Sequence, residues 1–202
     1  MVFLRSSLGQ EQTAAIRGRR VWLRAPLFSD YVRWAELRSE SREHLRPWEP
    51  EWTIDELTRW AFRRRVRHYQ REAQDDLGYA FLIFDDDSRL IGGLSLASVR
   101  RGVSQSASLG YWLGQPYTGK GLMTDAVRAA IRHAFGQLRL HRLEAASMPA
   151  NTASIRVLER TGFTREGYAP EYLKIDGKWA DHVLFGLLAS GPPTTQGEVR
   201  SS

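Results

Sequence analysis

The stretch that most constrains this chain is Gly110–Met123, GYWLGQPYTGKGLM. It reads as a strand, Leu109–Leu113, running into a glycine-bearing loop and then a helix that opens near Leu122. Met123, Ala126/Val127, Ala130 and Ala134 recur at three- and four-residue steps, the period of an apolar helix face. Gly119 and Gly121 sit just before the first turn, where they let the backbone approach a ligand closely. The first N–H groups of a helix have no partner inside it, and the helix dipole makes that end positive. Strand, glycine loop and helix N-terminus together form a pyrophosphate cradle. The loop lacks the GxxxxGK run of a nucleotide P-loop, and its spacing is not the GxGxxG of a dinucleotide fold. A plain glycine turn between strand and helix is the competing reading.

The rest of the chain supplies a mixed α/β (α+β) order. Arg20–Ala25 alternates around Val21 and Leu23 as a first strand. Ser29-Asp30 offers an N-cap to a helix carrying Tyr31, Trp34/Ala35 and Leu37/Arg38. Leu45–Trp52 holds Pro47 and Pro50 and is expected to be non-helical. Trp48 and Trp52 in that loop are costly to leave wet. Thr53-x-x-Glu56 has the spacing of a capping box and predicts a helix over 54–70. Gly78–Phe84 and Leu90–Val99 form a hairpin, with Gly92-Gly93 marking a bulge or a close backbone approach. The next strand is Ala107–Leu113. After the helix Leu122–Leu138 come a strand, Arg142–Ser147, and a helix to Arg160 that stops at Gly162. A strand to Ile175, an Asp176-Gly177 turn of type I′ and a strand Trp179–Leu188 complete the order. Residues 1–17 read as a poorly structured leader and 189–202 as a disordered tail.

Composition removes several classes of function. The 202 residues include no cysteine, which excludes disulfides, thiolate metal sites and a cysteine nucleophile. The five histidines, His44, His68, His133, His141 and His182, have no metal-motif spacing, so no metal is expected. No apolar run approaches the ~20 residues of a membrane helix and no signal-peptide core is seen, so a cytoplasmic protein is expected. The formal charge of +6 favours anionic ligands without indicating sequence-specific nucleic-acid binding. Arg63, Arg64, Arg65, Arg67 and Arg71 read first as a solvated helix face, and second as a contact for ribosomal RNA or an acidic partner.

The loop resembles the coenzyme A loop of the GNAT acetyltransferases, whose pattern is Gln/Arg-x-x-Gly-x-Gly/Ala. Here it runs Pro116-Tyr117-Thr118-Gly119-Lys120-Gly121, with proline in the leading place. Asn151-x-x-Ser154 followed by Gly162-Phe163 resembles a further coenzyme A contact region of the same family. HRLEAASMPAN through EGYAPEYLKIDGKWADHV resembles its ribosomal-protein alanine N-acetyltransferase branch, the RimJ/RimL group and RimJ most of all, and the likeness covers roughly residues 18–188. It implies a mostly antiparallel sheet that splays between Ala107–Leu113 and Arg142–Ser147, which would be that fold's fourth and fifth strands.

The resemblance also implies roles. Acetyl-CoA is the co-substrate, cradled by the backbone of Thr118, Gly119, Lys120, Gly121, Leu122 and Met123. Trp112 or Leu113 would supply the backbone donor to the thioester oxygen, and Asn151 would bind pantetheine or hold its helix start. Many relatives carry a tyrosine that protonates the leaving thiolate, but Leu158 stands at that position. Ser154 is the alternative near the sulfur. Glu171 and Glu144 are candidate bases, and Trp48 and Tyr172 candidate walls of the acceptor site. With no cysteine, direct attack of an amine on the thioester is the economical mechanism. The acceptor implied is the N-terminal alanine or serine of a ribosomal protein, with ribosome association through the basic helix. The competing readings are a small-molecule amine acetyltransferase of the same fold and a ribosome-associated assembly factor.

Overall fold

The structure is a computed structural model and describes residues 15–190. Its centre is one eight-stranded sheet: β1 Ile16–Arg17, β2 Val21–Arg24, β3 Tyr79–Asp85, β4 Leu90–Arg100, β5 Ser106–Leu113, β6 Arg142–Ser147, β7 Thr164–Ile175 and β8 Lys178–Leu188. The spatial order is β1-β2-β3-β4-β5-β6-β8-β7, and every neighbouring pair is antiparallel except β5 and β6. The helices are α1 Tyr31–Glu40, α2 Arg42–Leu45, α3 Arg59–Gln74, α4 Leu122–Gly136 and α5 Thr152–Arg160.

The alternation of β5 decides which layer each side chain joins. Ala107, Leu109 and Tyr111 pack with the buried faces of α4 and α5, among Met123, Ala126, Val127, Ala130 and Ile155. Trp112 points the other way and packs with α1 and α3, against a cluster of Trp34, Leu37, Phe62 and Val66. Gly92 and Gly93 of β4 make the close approach expected of them. A Cβ on Gly93 would lie 2.4 Å from the Trp112 indole nitrogen, so only glycine leaves room for that ring. The β4 register also shifts by one residue there, pairing Ile83 with Gly92 but Phe84 with Leu90.

Three local expectations are corrected. The helix expected from residue 54 starts at Arg59, capped by the Thr58 hydroxyl, which accepts from the Ala61 N–H at 3.2 Å. The Glu56 carboxylate is held instead by Arg65 at 2.6 Å, with Arg38 at 3.6 Å. A charged bond of that kind outweighs a capping contact. Asp30 does precede α1, but its carboxylate makes no cap; it accepts from the Arg24 guanidinium and the Leu27 N–H, each at 2.7 Å. Leu45–Trp52 is partly helical. α2 ends in it, and Arg46–Trp48 makes a 3-10 turn with Pro47 in its first positions, where the missing N–H costs nothing. Ile16 and Arg17 of the expected leader pair with Leu23 and Trp22, while residues 1–14 and 191–202 lie outside the described residues.

Candidate active site

β5 and β6 share only three paired positions, Ser106 with Arg142 to Ser108 with Glu144. Beyond Ser108, β5 continues to Leu113 beside β4, and β6 continues to Ser147 beside β8. The two strands therefore part and leave a wedge. The Gly114 N–H donates to the Ile91 carbonyl at 2.9 Å, which sets the alternation of β5. The N–H of Trp112 accordingly faces β4, whereas those of Tyr111 and Leu113 face the wedge. Of the two expected donors, Leu113 has the right direction and Trp112 does not.

The glycine loop stands at one mouth of this wedge. Gly119 and Gly121 have φ of +72° and +74°, a region that penalises any side chain. Nothing lies within 4 Å of where a Gly119 Cβ would be. The first N–H with a partner in the turn is that of Asp125, donating to the Gly121 carbonyl at 3.2 Å. The N–H groups of Gly119 through Thr124 have no partner among the described residues, and they form an unfilled donor array at a positive helix end. Asp125 braces the loop from behind by accepting the Arg19 and Arg20 N–H groups, and the Arg20 side chain donates to the Lys120 carbonyl at 2.8 Å. The Lys120 ammonium folds back to the Pro116 carbonyl at 2.7 Å. The array, the open space and the surrounding cations fit the pyrophosphate of a coenzyme.

Asn151 and Ser154 meet the wedge from α5. The Asn151 side chain caps that helix by accepting the Ser154 N–H at 3.1 Å, which frees the Ser154 hydroxyl from any capping duty. That hydroxyl lies 3.0 Å from the Tyr111 hydroxyl, which also donates to the Ser154 carbonyl at 3.1 Å. Burial pushes the Tyr111 phenol up to about 12. Leu158 is buried in the core, so Tyr111 is the tyrosine that reaches this region. Sequence reasoning passed over it because an ordinary strand position carries no sign of what it faces.

On the α1/α3 side of the sheet, over β3, β4 and the Gly110–Trp112 part of β5, lies a cavity of about 500 Å³. Its walls include Trp34, Trp52, Trp112 and Tyr111, and its charged lining is Arg38, Arg65, Glu49, Glu51 and Glu56. Arg38 is only 4% exposed. Its guanidinium forks onto Glu49 at 2.7 and 2.8 Å, and Trp52 and Trp112 lie 4.3 and 5.0 Å from it. The Trp52 indole also donates to Glu49 at 2.9 Å. An arginine inside the apolar stripe of α1 was the available signal for this group.

Other expected residues fall elsewhere. Trp48 sits half-buried in the 3-10 turn, outside the cavity wall that Trp52 provides. Glu144 lies at the paired end of β5 and β6, bound by Arg100 at 2.6 Å and Arg142 at 3.0 Å. Two arginines occupy it at the paired end, away from the wedge. Glu171 is exposed at an irregularity of β7 with φ of +46°, and its N–H donates to Asp181 at 2.9 Å. Tyr172 is exposed and meets the His182 ring edge-on at 5.8 Å. Neither Glu171 nor Tyr172 lines the cavity.

Comparison with known proteins agrees with this geometry. Residues 20–164 match the model of the acetyltransferase (GNAT) domain family. The probable N-acetyltransferase YjcK of Bacillus subtilis is 39% identical over 174 residues, covering 86% of this chain and 96% of that protein. The ribosomal protein uS5-alanine N-acetyltransferase of Escherichia coli is 38% identical over 159 residues, 78% of this chain and 82% of that one. Among solved structures, Mycobacterium smegmatis RimJ in complex with CoA-disulfide superposes with a TM-score of 0.80 at 34% identity, covering 86% of this chain and 84% of that chain.

Proposed function

This chain belongs to the GNAT acetyltransferases and is an N-acetyltransferase, and from that premise we propose that it acetylates the N-terminal alanine or serine of a ribosomal protein. The observation that carries the reading is the wedge between β5 and β6. An unfilled donor array follows the end of β5, and an aromatic cavity is lined by Tyr111 and Trp112 of the same strand. The names of the uS5-alanine enzyme and of the coenzyme-bound RimJ support the acceptor and the acetyl donor.

Acetyl-CoA supplies an activated thioester: the amine nitrogen bonds to the acetyl carbon, the carbon–sulfur bond breaks, and the amine proton leaves to solvent. The backbone from Gly119 to Thr124 holds the pyrophosphate. Leu113 N–H donates towards the thioester oxygen from the wedge face of β5. The Tyr111 phenol is protonated at neutral pH in any case, and burial raises its pKa further, which makes it a fixed donor and a poorer acid. When the Tyr111 proton is turned to the Ser154 hydroxyl oxygen, the Ser154 proton is left to be donated to a developing thiolate.

The acceptor follows from proton arithmetic. An α-amine has a pKa of about 8 and a lysine amine about 10.4, so roughly a tenth of the first is free at neutral pH against a few parts in ten thousand of the second. No unpaired carboxylate is buried beside the wedge among the described residues, and a site of that kind serves an α-amine far more readily than a lysine. Two peptides test this by mass spectrometry after incubation with acetyl-CoA. One begins with Ala; the other has a blocked α-amine and free lysines. The first should gain an acetyl group, and equal acetylation of both would refute an N-terminal acceptor.

A further inference from the structure

The acceptor cavity contains charges that cancel and one that does not. Arg38 forks onto Glu49 at 2.7 and 2.8 Å, and Arg65 holds Glu56 at 2.6 Å. Glu51 lines the same cavity, yet its carboxylate has no hydrogen bond or ion pair among the described residues. The nearby guanidinium that could take it, Arg46, is turned to Asp176 at 3.0 Å. Among the lining groups two arginines face three glutamates, which leaves the cavity one negative charge, located on Glu51.

Glu51 is also held in place. Its segment, Arg46–Trp52, is strapped to the tip of the β7–β8 hairpin, where the Asp176 N–H donates to the Glu49 carbonyl at 2.9 Å. The turn brings Gly177 against it: a Cβ on Gly177 would lie 3.3 Å from a Glu51 carboxylate oxygen. On its other side Trp52 is pinned by Glu49 and Arg38. A carboxylate on a segment anchored from both sides loses little freedom when it takes a ligand.

We infer that Glu51 is the counter-ion that receives the acceptor's ammonium at the mouth of the cavity, and that the Asp176–Gly177 turn positions it. The inference deepens the acyl-transfer reading and rests on the cavity being the acceptor site. The ammonium is drawn to the unpaired charge and sheds its proton to solvent beside it before the free amine enters the cavity. Glu49 and Glu56 are already engaged, and taking an ammonium would cost the buried Arg38 or the partly exposed Arg65 its partner.

The test is steady-state kinetics of Glu51→Gln, an isosteric change at an exposed position, against the wild type at low and high salt. The acceptor is an Ala-initiated peptide. For the variant, KM for the peptide should rise about two- to fivefold, in line with one exposed ion pair, while KM for acetyl-CoA stays put. The wild-type kcat/KM for the peptide should fall with salt, and the variant should lose that dependence. Gly177→Asn, a neutral side chain that tolerates the φ of +79° at this turn and adds bulk against Glu51, should raise peptide KM but keep the salt dependence. Unchanged peptide KM and salt response in Glu51→Gln overturn the inference, as does a parallel rise in both KM values. If the wild type accepts a polyamine and not the peptide, the peptide reading fails, and the Glu51 comparison is made on the polyamine with the same two outcomes.

Discussion

The Tyr111 hydroxyl on β5 stands 3.0 Å from the Ser154 hydroxyl on α5, joining residues 43 apart in the chain across the wedge between the two halves of the sheet. Tyr111→Phe keeps the ring and removes that link. The Ser154 hydroxyl then loses its orientation, and turnover should fall about tenfold, the worth of one well-placed hydrogen bond. Acetyl-CoA affinity should stay within about twofold, since the cradle is untouched. Single-turnover kinetics separate the two effects; wild-type turnover would leave the pair a purely structural bond.

The cradle predicts a second result. Asp tolerates a positive φ better than most residues, so Gly119→Asp should cost about 1 kcal/mol of stability. Nothing lies within 4 Å of the added carbon, so the fold has room for it. Its carboxylate would nevertheless stand among the N–H groups meant for phosphate. Coenzyme A affinity should fall more than about tenfold through like-charge repulsion. Calorimetric titration of the folded variant checks this, and unchanged affinity would remove the cradle assignment.

The buried pair of Arg38 and Glu49 predicts a stability result. Glu49→Leu leaves Arg38, only 4% exposed, with Glu56 at 3.6 Å as its remaining partner, and weakening such a buried pair costs up to about 3 kcal/mol. The double change Arg38→Met with Glu49→Leu leaves no stranded charge and should recover much of that loss. Denaturant unfolding of both variants measures the difference. Equal destabilisation would mean that the pair matters through packing and not through charge.

His133 gives a pH dependence. Its Nδ1 is buried without a partner among the described residues, beside the edge-on ring of Phe81 at 5.7 Å. Burial lowers its pKa from the ordinary value of 6.5, partly offset by a hydrogen bond with Gln137. The unfolded chain therefore binds the proton more readily than the folded one. The stability that the neutral ring permits is complete above the ordinary pKa and is lost as the pH falls through the folded value. Thermal melts from about pH 7.5 down to about pH 5 should show a decline that His133→Leu reduces. An identical decline in that variant would assign it to other groups.

What the sequence by itself determined is local. The Leu109–Leu113 strand, the Gly119 and Gly121 loop and the helix from Leu122 follow from residue types a few positions apart, because periodicity, positive-φ glycines and helix ends are short-range physics. The Asn151 helix start, the Gly162 stop and the Asp176–Gly177 turn were legible for the same reason. Tertiary structure alone decided the rest. The three-residue overlap of β5 with β6 makes the wedge, and strand order is a property of the whole sheet. Glu56 looked like a capping residue and became a partner of Arg65 and Arg38, because a long-range charge pair outcompetes a local cap. Glu144 looked available and is taken by Arg100 and Arg142, while Glu51 has no partner among the described residues. Which carboxylates are spent on arginines depends on neighbours distant in the chain, and short-range patterns carry no record of them.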